Sequence, residues 1–252
     1  MTLASLFKIN PIRVLEDNII WVWSIGKLAI VIDPAVTSPV EEWLKANDLK
    51  LIAIFQTHHH LDHIGGTQGL IKIWPKASVV ASGEDFDRIP FQTISVNDGD
   101  QIKFMGQSVR ILKVNGHTKN HIAFYIPANS KYKTNPILFC GDTLFGAGCG
   151  RLFEGSPEDM YDSLKRINLL PAETKIYCAH EYTRSNLRWA LHLYPKDLSL
   201  KSRLLDVEDK IKRGSITLPS TLKEERKTNL FIKAKNPKEL SILRINKDNW
   251  KG

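Results

Sequence analysis

The pattern of apolar and polar positions along the chain changes character near residue 180. Before that point, short apolar runs alternate with turn residues such as Asn97-Asp98-Gly99, a pattern typical of β-strands. The apolar run from Ile19 to Ile32 is broken at Gly26 and predicts a β-hairpin. Further strands are predicted at residues 51–55, 79–81, 102–104, 109–114, 122–126, 137–140 and 176–178.

Helix signals are sparse before residue 180 and dominant after it. Ser38-Pro39 and Ser156-Pro157 each place an N-cap residue before a proline and first-turn acids, so each predicts a helix start. Later helices are predicted at residues 184–194, 197–213, 220–228 with Ser220 as the cap, and 238–249. The pattern therefore predicts an α+β fold, with a four-layer αββα sandwich over residues 1–180 and an all-helical C-terminal domain over residues 181–252.

Length and composition are those of a globular protein. The 252 residues, of which 42% are hydrophobic, can bury a large core, and this excludes a disordered or low-complexity chain. No apolar stretch reaches the ~20 residues of a membrane helix, and Met1 to Asn10 lacks the pattern of a signal peptide. The three cysteines show no CxxC spacing and suggest buried, reduced thiols, so we expect a cytoplasmic protein.

A dense histidine segment at residues 57–63 carries the strongest chemical signal. It places five metal-capable side chains within six residues, directly after an apolar run. Alternate residues of an extended segment share a face, so His58 and His60 can face one metal ion while the histidine between them points away. Asp62 and His63 lie where a helix could begin and can face a second ion. The alternative is a polar loop with solvated imidazoles, which so dense a cluster disfavours.

Three more candidate ligands lie elsewhere in the chain. His117, Asp142 and His180 each follow the C-terminal end of a predicted strand. Such strand ends meet along one edge of a sheet, where loops converge to form a site. Seven of the eight histidines fall in these segments, which argues against histidines scattered over a surface. The sequence therefore predicts a metal site built from distant segments.

These motifs resemble those of the metallo-β-lactamase superfamily and, within it, the glyoxalase II family of hydroxyacylglutathione hydrolases. The pattern His58-x-His60-x-Asp62-His63 is typical of the superfamily, and later segments narrow the resemblance to the family. Those segments are Gly116-His117-Thr118, Gly141-Asp142-Thr143-Leu144-Phe145, Cys149-Gly150-Arg151, Ala179-His180-Glu181-Tyr182 and Leu222-Lys223-Glu224-Glu225-Arg226. The resemblance implies a metallo-β-lactamase sandwich followed by a helical substrate-binding domain. It also implies hydrolysis of S-D-lactoylglutathione and other S-2-hydroxyacylglutathiones, the second step of methylglyoxal detoxification.

The expected site holds two divalent metal ions that share one carboxylate. The first ion is expected at His58, His60 and His117, the second at Asp62, His63 and His180, and Asp142 is expected to bridge them. Paired ions lower the pKa of a shared water to about 7, so a bridging hydroxide is the expected nucleophile and Asp62 and Asp142 the expected catalytic residues. Zinc is the expected metal, and iron or manganese would accept the same donors.

The resemblance further implies which side chains bind the glutathione part of the substrate. These are Arg151, Phe153, Tyr182, Arg244 and Lys247. Arginine and lysine suit the carboxylates of glutathione, and arginine can bind one through two hydrogen bonds. Arg151 and Phe153 stand where the family often has Lys and Tyr, so a hydroxyl contact is absent here. Without the resemblance, Arg244 and Lys247 would be ordinary charges on one helix face.

Asp33 follows a predicted strand and precedes Pro34, and it has two interpretations of equal weight. In the first interpretation, Asp33 hydrogen-bonds to a metal-bound histidine or water and orients it without binding the metal itself. Alternatively, it is a strand-end aspartate in a turn, which is common before proline.

The net charge of +8 is concentrated in the C-terminal part, where residues 184–252 hold 17 basic and 8 acidic side chains. Most of these charges are expected on solvated helix faces. The functional alternatives are attraction of an acidic small molecule or of nucleic acid. We expect the small molecule, a glutathione thioester, as the partner of a monomer that binds neither nucleic acid nor membrane.

Rival functions stay open at this point. One is a mononuclear iron persulfide dioxygenase, which the complete second ligand set and the helical C-terminal domain disfavour. Another is a metallo-β-lactamase-type nuclease, for which the chain lacks the length of an inserted nucleic-acid domain. A third is a non-enzymatic protein with a structural metal, but structural zinc sites are closed and tetrahedral, whereas paired ions leave open positions.

Overall fold

The computed structural model of the protein describes residues 6–252. These residues form two compact units. The first unit comprises the residues up to Lys113 together with residues 120–141, and the second comprises residues 114–119 and 142–252. The expectation that Met1 to Asn10 do not form a signal peptide concerns, in part, residues 1–5, which lie outside the described residues.

One sheet of the first unit has six strands. They are β1 (Phe7–Val14), β2 (Asn18–Ile25), β3 (Leu28–Ile32), β4 (Lys50–Phe55), β5 (Ser78–Ser82) and β6 (Ile94–Val96). The strands lie in chain order, antiparallel from β1 to β3 and parallel from β3 to β6. The hairpin predicted at Gly26 is confirmed, and the residue has the left-handed φ of +62° that this tight turn requires. Pro11 is tolerated in β1 because this strand forms an edge of the sheet.

The first unit also contains four antiparallel strands, and each of the first three pairs with the next strand along the chain. They are β7 (Gln101–Phe104), β8 (Gln107–Lys113), β9 (Ile122–Ile126) and β10 (Ile137–Gly141). Aromatic rings join these strands to the six-stranded sheet. Phe55 of β4 stacks on Phe124 of β9 with ring centroids 4.5 Å apart, and meets Phe104 of β7 edge-on at 5.2 Å. The two sets of strands therefore pack face to face around an apolar layer.

Helices cover the opposite face of the six-stranded sheet. They are α1 (Ser38–Ala46), α2 (Leu61–Ile64) and α3 (Thr67–Ile73), of which α1 and α3 contribute Val40, Leu44 and Leu70 to the core. Successive strand residues point to opposite faces, so Val22 joins this helix-covered core while Trp23 faces the aromatic layer. Both faces of the central strands are thus covered, which explains their unbroken apolar runs.

The second unit begins with a short hairpin and continues mainly as helices. Its elements are β11 (Leu144–Phe145), β12 (Gly148–Cys149), α4 (Pro157–Asn168), β13 (Lys175–Cys178), α5 (Thr183–Leu193), α6 (Leu198–Lys212), β14 (Ser220–Thr221), α7 (Leu222–Thr228), α8 (Leu230–Lys233) and α9 (Pro237–Asn249). The predicted start of α4 is confirmed, because Ser156 and Asp159 form a reciprocal capping box. The predicted helical character after residue 180 is also confirmed, apart from β14. Ser220 pairs with Ile176 there, so Thr221 rather than Ser220 caps α7.

A buried ion pair ties the C-terminal helices to the β11–β12 hairpin. Arg203 of α6 donates to Glu225 of α7, and Glu225 accepts from the backbone N–H of Ala147 at 2.8 Å. Asn229 donates to the carbonyl of Gly148 at 2.9 Å, which adds a second connection. The charge of Glu225 is paired and hydrogen-bonded, as a carboxylate with no exposed surface requires.

Two further expectations concern the state of the cysteines and the presence of membrane-spanning helices. Cys140, Cys149 and Cys178 are buried thiols that form no disulfide among the described residues, as predicted. Over residues 6–252, no helix combines the length and the apolar character that crossing a membrane requires.

Candidate metal centre

The histidine segment of the first unit leaves the C-terminal end of β4, and its side chains alternate as predicted. Nε2 of His58 lies 3.0 Å from Nδ1 of His60. His59, between them, points to a different neighbour, with its Nδ1 3.7 Å from the carboxylate of Asp85. Two imidazoles therefore face one point, and the third turns away from it.

Helix α2 places the next two candidates. It begins at Leu61, so Asp62 and His63, where the sequence allowed a helix to begin, lie in its single turn. Nε2 of His63 lies 3.5 Å from Oδ2 of Asp62. Asn18 donates to the same Asp62 oxygen at 3.1 Å, which fixes the direction of this half-exposed carboxylate.

Asp33 lies behind His63. Its Oδ2 is 3.2 Å from Nδ1 of His63, and the same carboxylate accepts hydrogen bonds of 2.8 Å from the backbone N–H and the hydroxyl of Thr57. The aspartate itself has a left-handed φ of +50°, an unusual conformation for a residue other than glycine. The His63 ring thus lies between two carboxylates, with Nδ1 toward Asp33 and Nε2 toward Asp62.

The second unit brings its three candidates together around Asp142. Oδ2 of Asp142 lies 3.4 Å from Nε2 of His117, and Oδ1 lies 3.4 Å from Nε2 of His180. Each carboxylate oxygen thus faces a different imidazole nitrogen. All three side chains are almost completely enclosed, with no more than 6% of any residue exposed.

The backbone around residue 150 fixes the tautomer of His117. Its Nδ1 lies 2.9 Å from the carbonyl oxygen of Arg151, and a carbonyl only accepts, so Nδ1 carries the proton. Nε2 therefore presents a lone pair to Asp142. A glycine is needed at position 150 for this close packing, because a Cβ there would lie 2.0 Å from the backbone carbonyl oxygen of Asp142 and 3.1 Å from Nδ1 of His117.

The distances within each unit fit the donors of a metal site. Two atoms that bind one tetrahedral ion at 2.0–2.1 Å lie about 3.3–3.4 Å apart. The donor pairs above are 3.0–3.5 Å apart, and their nitrogen donors are imidazoles, which zinc and similar ions accept. The side chains with the chemistry to hold a metal ion are His58, His60, Asp62, His63, His117, Asp142 and His180.

A basic cavity of about 500 Å³ lies in the second unit, and three of the predicted glutathione-binding residues line it. They are Arg151, Phe153 and Arg244, and Asp248 lies beside them. Arg244 is not the ordinary surface charge that its helical position alone suggests, since only 6% of it is exposed. It donates to the carbonyl of Cys149 at 2.9 Å and to Asp248 at 2.8 Å, and it stacks over Phe231.

Among the residues that line the cavity, Arg151 is exposed, with Nε 3.6 Å from Asp248. Tyr182 and Lys247, the other predicted substrate residues, are not among the lining residues. The Tyr182 ring stacks on that of His180 at 4.9 Å, nearly parallel. Lys247 contacts the Ser185 hydroxyl at 3.2 Å. Burial, and then the positive charge of Arg244, lower the pKa of Lys247 to about 8.

Sequence reasoning missed two residues of these regions, Asn18 and Asp248. Asn18 had no signal, because its contact with Asp62 spans 44 positions. Asp248 did have one, since it lies four residues after Arg244 on the same helix, the spacing of a helical ion pair.

Two adjoining family models match the chain. Residues 13–180 match the metallo-beta-lactamase superfamily, and residues 181–250 match the hydroxyacylglutathione hydrolase C-terminus. The superfamily match and the metal-capable side chains together indicate a protein that binds divalent metal.

Individual relatives agree with these matches. The hydroxyacylglutathione hydrolase of Prochlorococcus marinus strain SARG is 57% identical over 245 residues, which are 97% of this chain and 97% of that protein. Its counterpart in strain MIT 9303 is 55% identical over 243 residues, 96% of this chain and 94% of that one. The crystal structure of ETHE1 from Myxococcus xanthus matches with a TM-score of 0.70 at 24% identity, over 97% of this chain and 92% of that chain.

The structural match shows the fold, and the sequence matches show the family. The metallo-β-lactamase fold expected from the sequence is confirmed, and so is the resemblance from which it was inferred. The chain belongs to the hydroxyacylglutathione hydrolase (glyoxalase II) family of the metallo-β-lactamase superfamily.

Proposed function

We propose that the chain hydrolyses S-D-lactoylglutathione to glutathione and D-lactate, and other S-2-hydroxyacylglutathiones to the corresponding acids. The name shared by the relatives and the match to the hydrolase C-terminus support this activity. A thioester suits the site, because a thiol of pKa about 8.5 leaves as a thiolate without a strong proton donor. We assign the reaction to the second step of methylglyoxal detoxification and propose that a monomer carries it out. The cytoplasm is the proposed compartment, because its reducing conditions suit three cysteines that form no disulfide.

The position of Asp142 carries the proposal. Because each of its oxygens faces a different histidine nitrogen at 3.4 Å, one carboxylate is placed to bind two ions. We assign the first ion to His58, His60 and His117, the second to Asp62, His63 and His180, and the bridge to Asp142. Zinc suits these donors, and iron or manganese would be accepted by the same set.

The chain's own residues prepare this centre. When bound, two such ions supply a hydroxide at neutral pH and polarise the thioester carbonyl. The carbonyl of Arg151 holds the proton of His117 on Nδ1, so that Nε2 faces Asp142. The carboxylate of Asp33 lies 3.2 Å from Nδ1 of His63. The side chain of Asn18 donates to the carboxylate of Asp62 and so fixes the direction of that carboxylate. These contacts remove the cost of orienting the ligands at the moment of reaction.

The basic cavity is the proposed site for the glutathione part of the substrate. Arg244 and Arg151 line the cavity and are suited to a carboxylate of glutathione. Lys247 is not a lining residue, but it is close enough to interact electrostatically with both arginines and is assigned to the same task. Tyr182 is assigned to the same task, and Phe153 contributes an apolar ring where a hydroxyl is absent. In this division, residues 1–180 form the catalytic domain and residues 181–252 the substrate-binding domain.

Hydrolysis of S-D-lactoylglutathione by purified, metal-analysed protein tests the proposal. The thioester absorbance should decline while D-lactate accumulates, and a chelator should abolish the rate until zinc is added back. Parallel samples with glutathione persulfide and oxygen, and with nucleic acid, test the rival activities. Oxygen uptake or strand cleavage without thioester hydrolysis would overturn the proposed function.

A further inference from the structure

His59 lies between two proposed metal ligands but points away from both of them. Asp85 and Arg88 of the first unit meet its ring on that far side. We propose that these two residues clamp His59 and thereby position His58 and His60, so that His59 is a positioning residue of the metal centre. This inference rests on the proposed function, because it takes His58 and His60 as ligands.

Asp85 is a buried carboxylate with one oxygen directed at His59. Only 1% of the residue is exposed. Its Oδ1 accepts from Nε of Arg88 at 3.0 Å and from Asn120 at 2.7 Å. Its Oδ2 accepts no hydrogen bond from the described residues and lies 3.7 Å from Nδ1 of His59. Burying a carboxylate costs free energy. Because Oδ2 is directed at the His59 ring and accepts no hydrogen bond from the described residues, Asp85 has a role beyond its ion pair with Arg88.

Arg88 completes the clamp from the other side of the ring. Its Nη1 lies 3.4 Å from Nε2 of His59. A guanidinium group only donates, so Nε2 acts as the acceptor and the ring proton lies on Nδ1, toward Asp85. One tautomer therefore suits both neighbours: Nε2 accepts from Arg88, and the Nδ1 proton faces the charged Oδ2 of Asp85 at 3.7 Å, an electrostatic contact longer than a hydrogen bond.

Fixing His59 also fixes the directions of its neighbours. Side chains alternate along an extended segment, so a rotation of the backbone at His59 would move His58 and His60 together. The His59 ring also meets that of His60 edge-on, with centroids 4.9 Å apart. A solvated histidine at this place would need neither a buried carboxylate nor an arginine. The arrangement resembles the outer contacts that orient ligands in metal sites, placed here one residue away from them.

Zinc affinity of His59→Ala, Asp85→Asn and the double variant tests this inference. A chelator competition measures the affinity, and thermal unfolding of the metal-free proteins measures folding separately. Each single variant should bind zinc about ten-fold to a hundred-fold more weakly, the range for outer partners of metal ligands. The double variant should lose little more, because both changes remove one interaction. With zinc saturating, kcat should fall while KM stays the same, since substrate contacts are untouched.

Two further variants make the outcome decisive. Glu84→Gln removes a carboxylate one residue away that pairs with Lys113, and it should bind zinc like the parent. His58→Ala removes a proposed ligand and should lose zinc outright. If His58→Ala loses zinc but His59→Ala binds it like the parent, the clamp is wrong and the ligand set stands. If His58→Ala also binds like the parent, the proposed ligand set itself fails. His59→Ala alone decides the clamp where Asp85→Asn does not fold.

Discussion

The proposed metal ligands and the basic cavity differ in how firmly their side chains are held. Around Asp142, each donor is enclosed, and the Arg151 carbonyl additionally directs His117. In the cavity, only Arg244 is enclosed, whereas 67% of the Arg151 side chain and 62% of Phe153 are exposed. The proposed metal ligands around Asp142 are thus more enclosed than the two exposed side chains of the cavity.

This contrast has a kinetic consequence. Groups that act at the reacting carbonyl stabilise the transition state, so their loss lowers kcat. Groups that bind a remote carboxylate contribute equally to the ground state and the transition state, so their loss raises KM. Substitutions in the two regions should therefore separate into two kinetic classes.

The largest effect is expected for Asp142→Asn. A neutral amide cannot join two cations as a carboxylate does, so metal content and kcat should both fall. The fall in kcat should exceed the roughly hundred-fold loss that follows when a residue hydrogen-bonded to a metal ligand is replaced. Elemental analysis and thioester hydrolysis measure the two quantities. Asp162→Asn, at an exposed position of α4, is the matched control and should match the parent. Retention of both metal and turnover would remove Asp142 from the centre.

A smaller effect is expected for Arg244→Ala, and it should appear in KM. A charge-assisted hydrogen bond contributes roughly 1.5–3 kcal/mol, so kcat/KM should fall on the order of ten-fold to a hundred-fold with metal content unchanged. Arg151→Ala should lose less, because its exposed side chain is screened by solvent. A thioester without the glutathione carboxylates should be hydrolysed equally by parent and variants. Equal kinetics on S-D-lactoylglutathione would make Arg244 a purely structural residue.

The smallest effect is expected in the pH dependence that Lys247 gives to KM. Its pKa of about 8 lies below the ordinary value, so the side chain is charged below pH 8 and loses that charge as the pH rises. KM should therefore rise above pH 8, by up to about ten-fold for one lost charged contact. Lys247→Arg should remove this rise, because a guanidinium stays charged. An identical alkaline limb in both proteins would assign the titration to another group.

The sequence was informative where a motif is local and less so where contacts are distant. The alternation of the histidine segment follows from backbone periodicity alone and is confirmed, and α2 forms in the region where the sequence allowed a helix to begin. The contacts of Asn18 with Asp62 and of Asp85 with His59 join positions 26 or more residues apart, so no local sequence pattern predicts them. Arg244 shows a third case: its position on a helix was predictable, but its burial depends on the packing of α9 against α4 and α8.

The number of metal ions at full activity tests the central claim most directly. Metal-free protein should be titrated with zinc, with bound metal and hydrolysis of S-D-lactoylglutathione measured on the same samples. Two ligand sets joined by Asp142 require activity to rise until close to two ions are bound per chain. Full activity with one ion bound would contradict a shared two-metal centre.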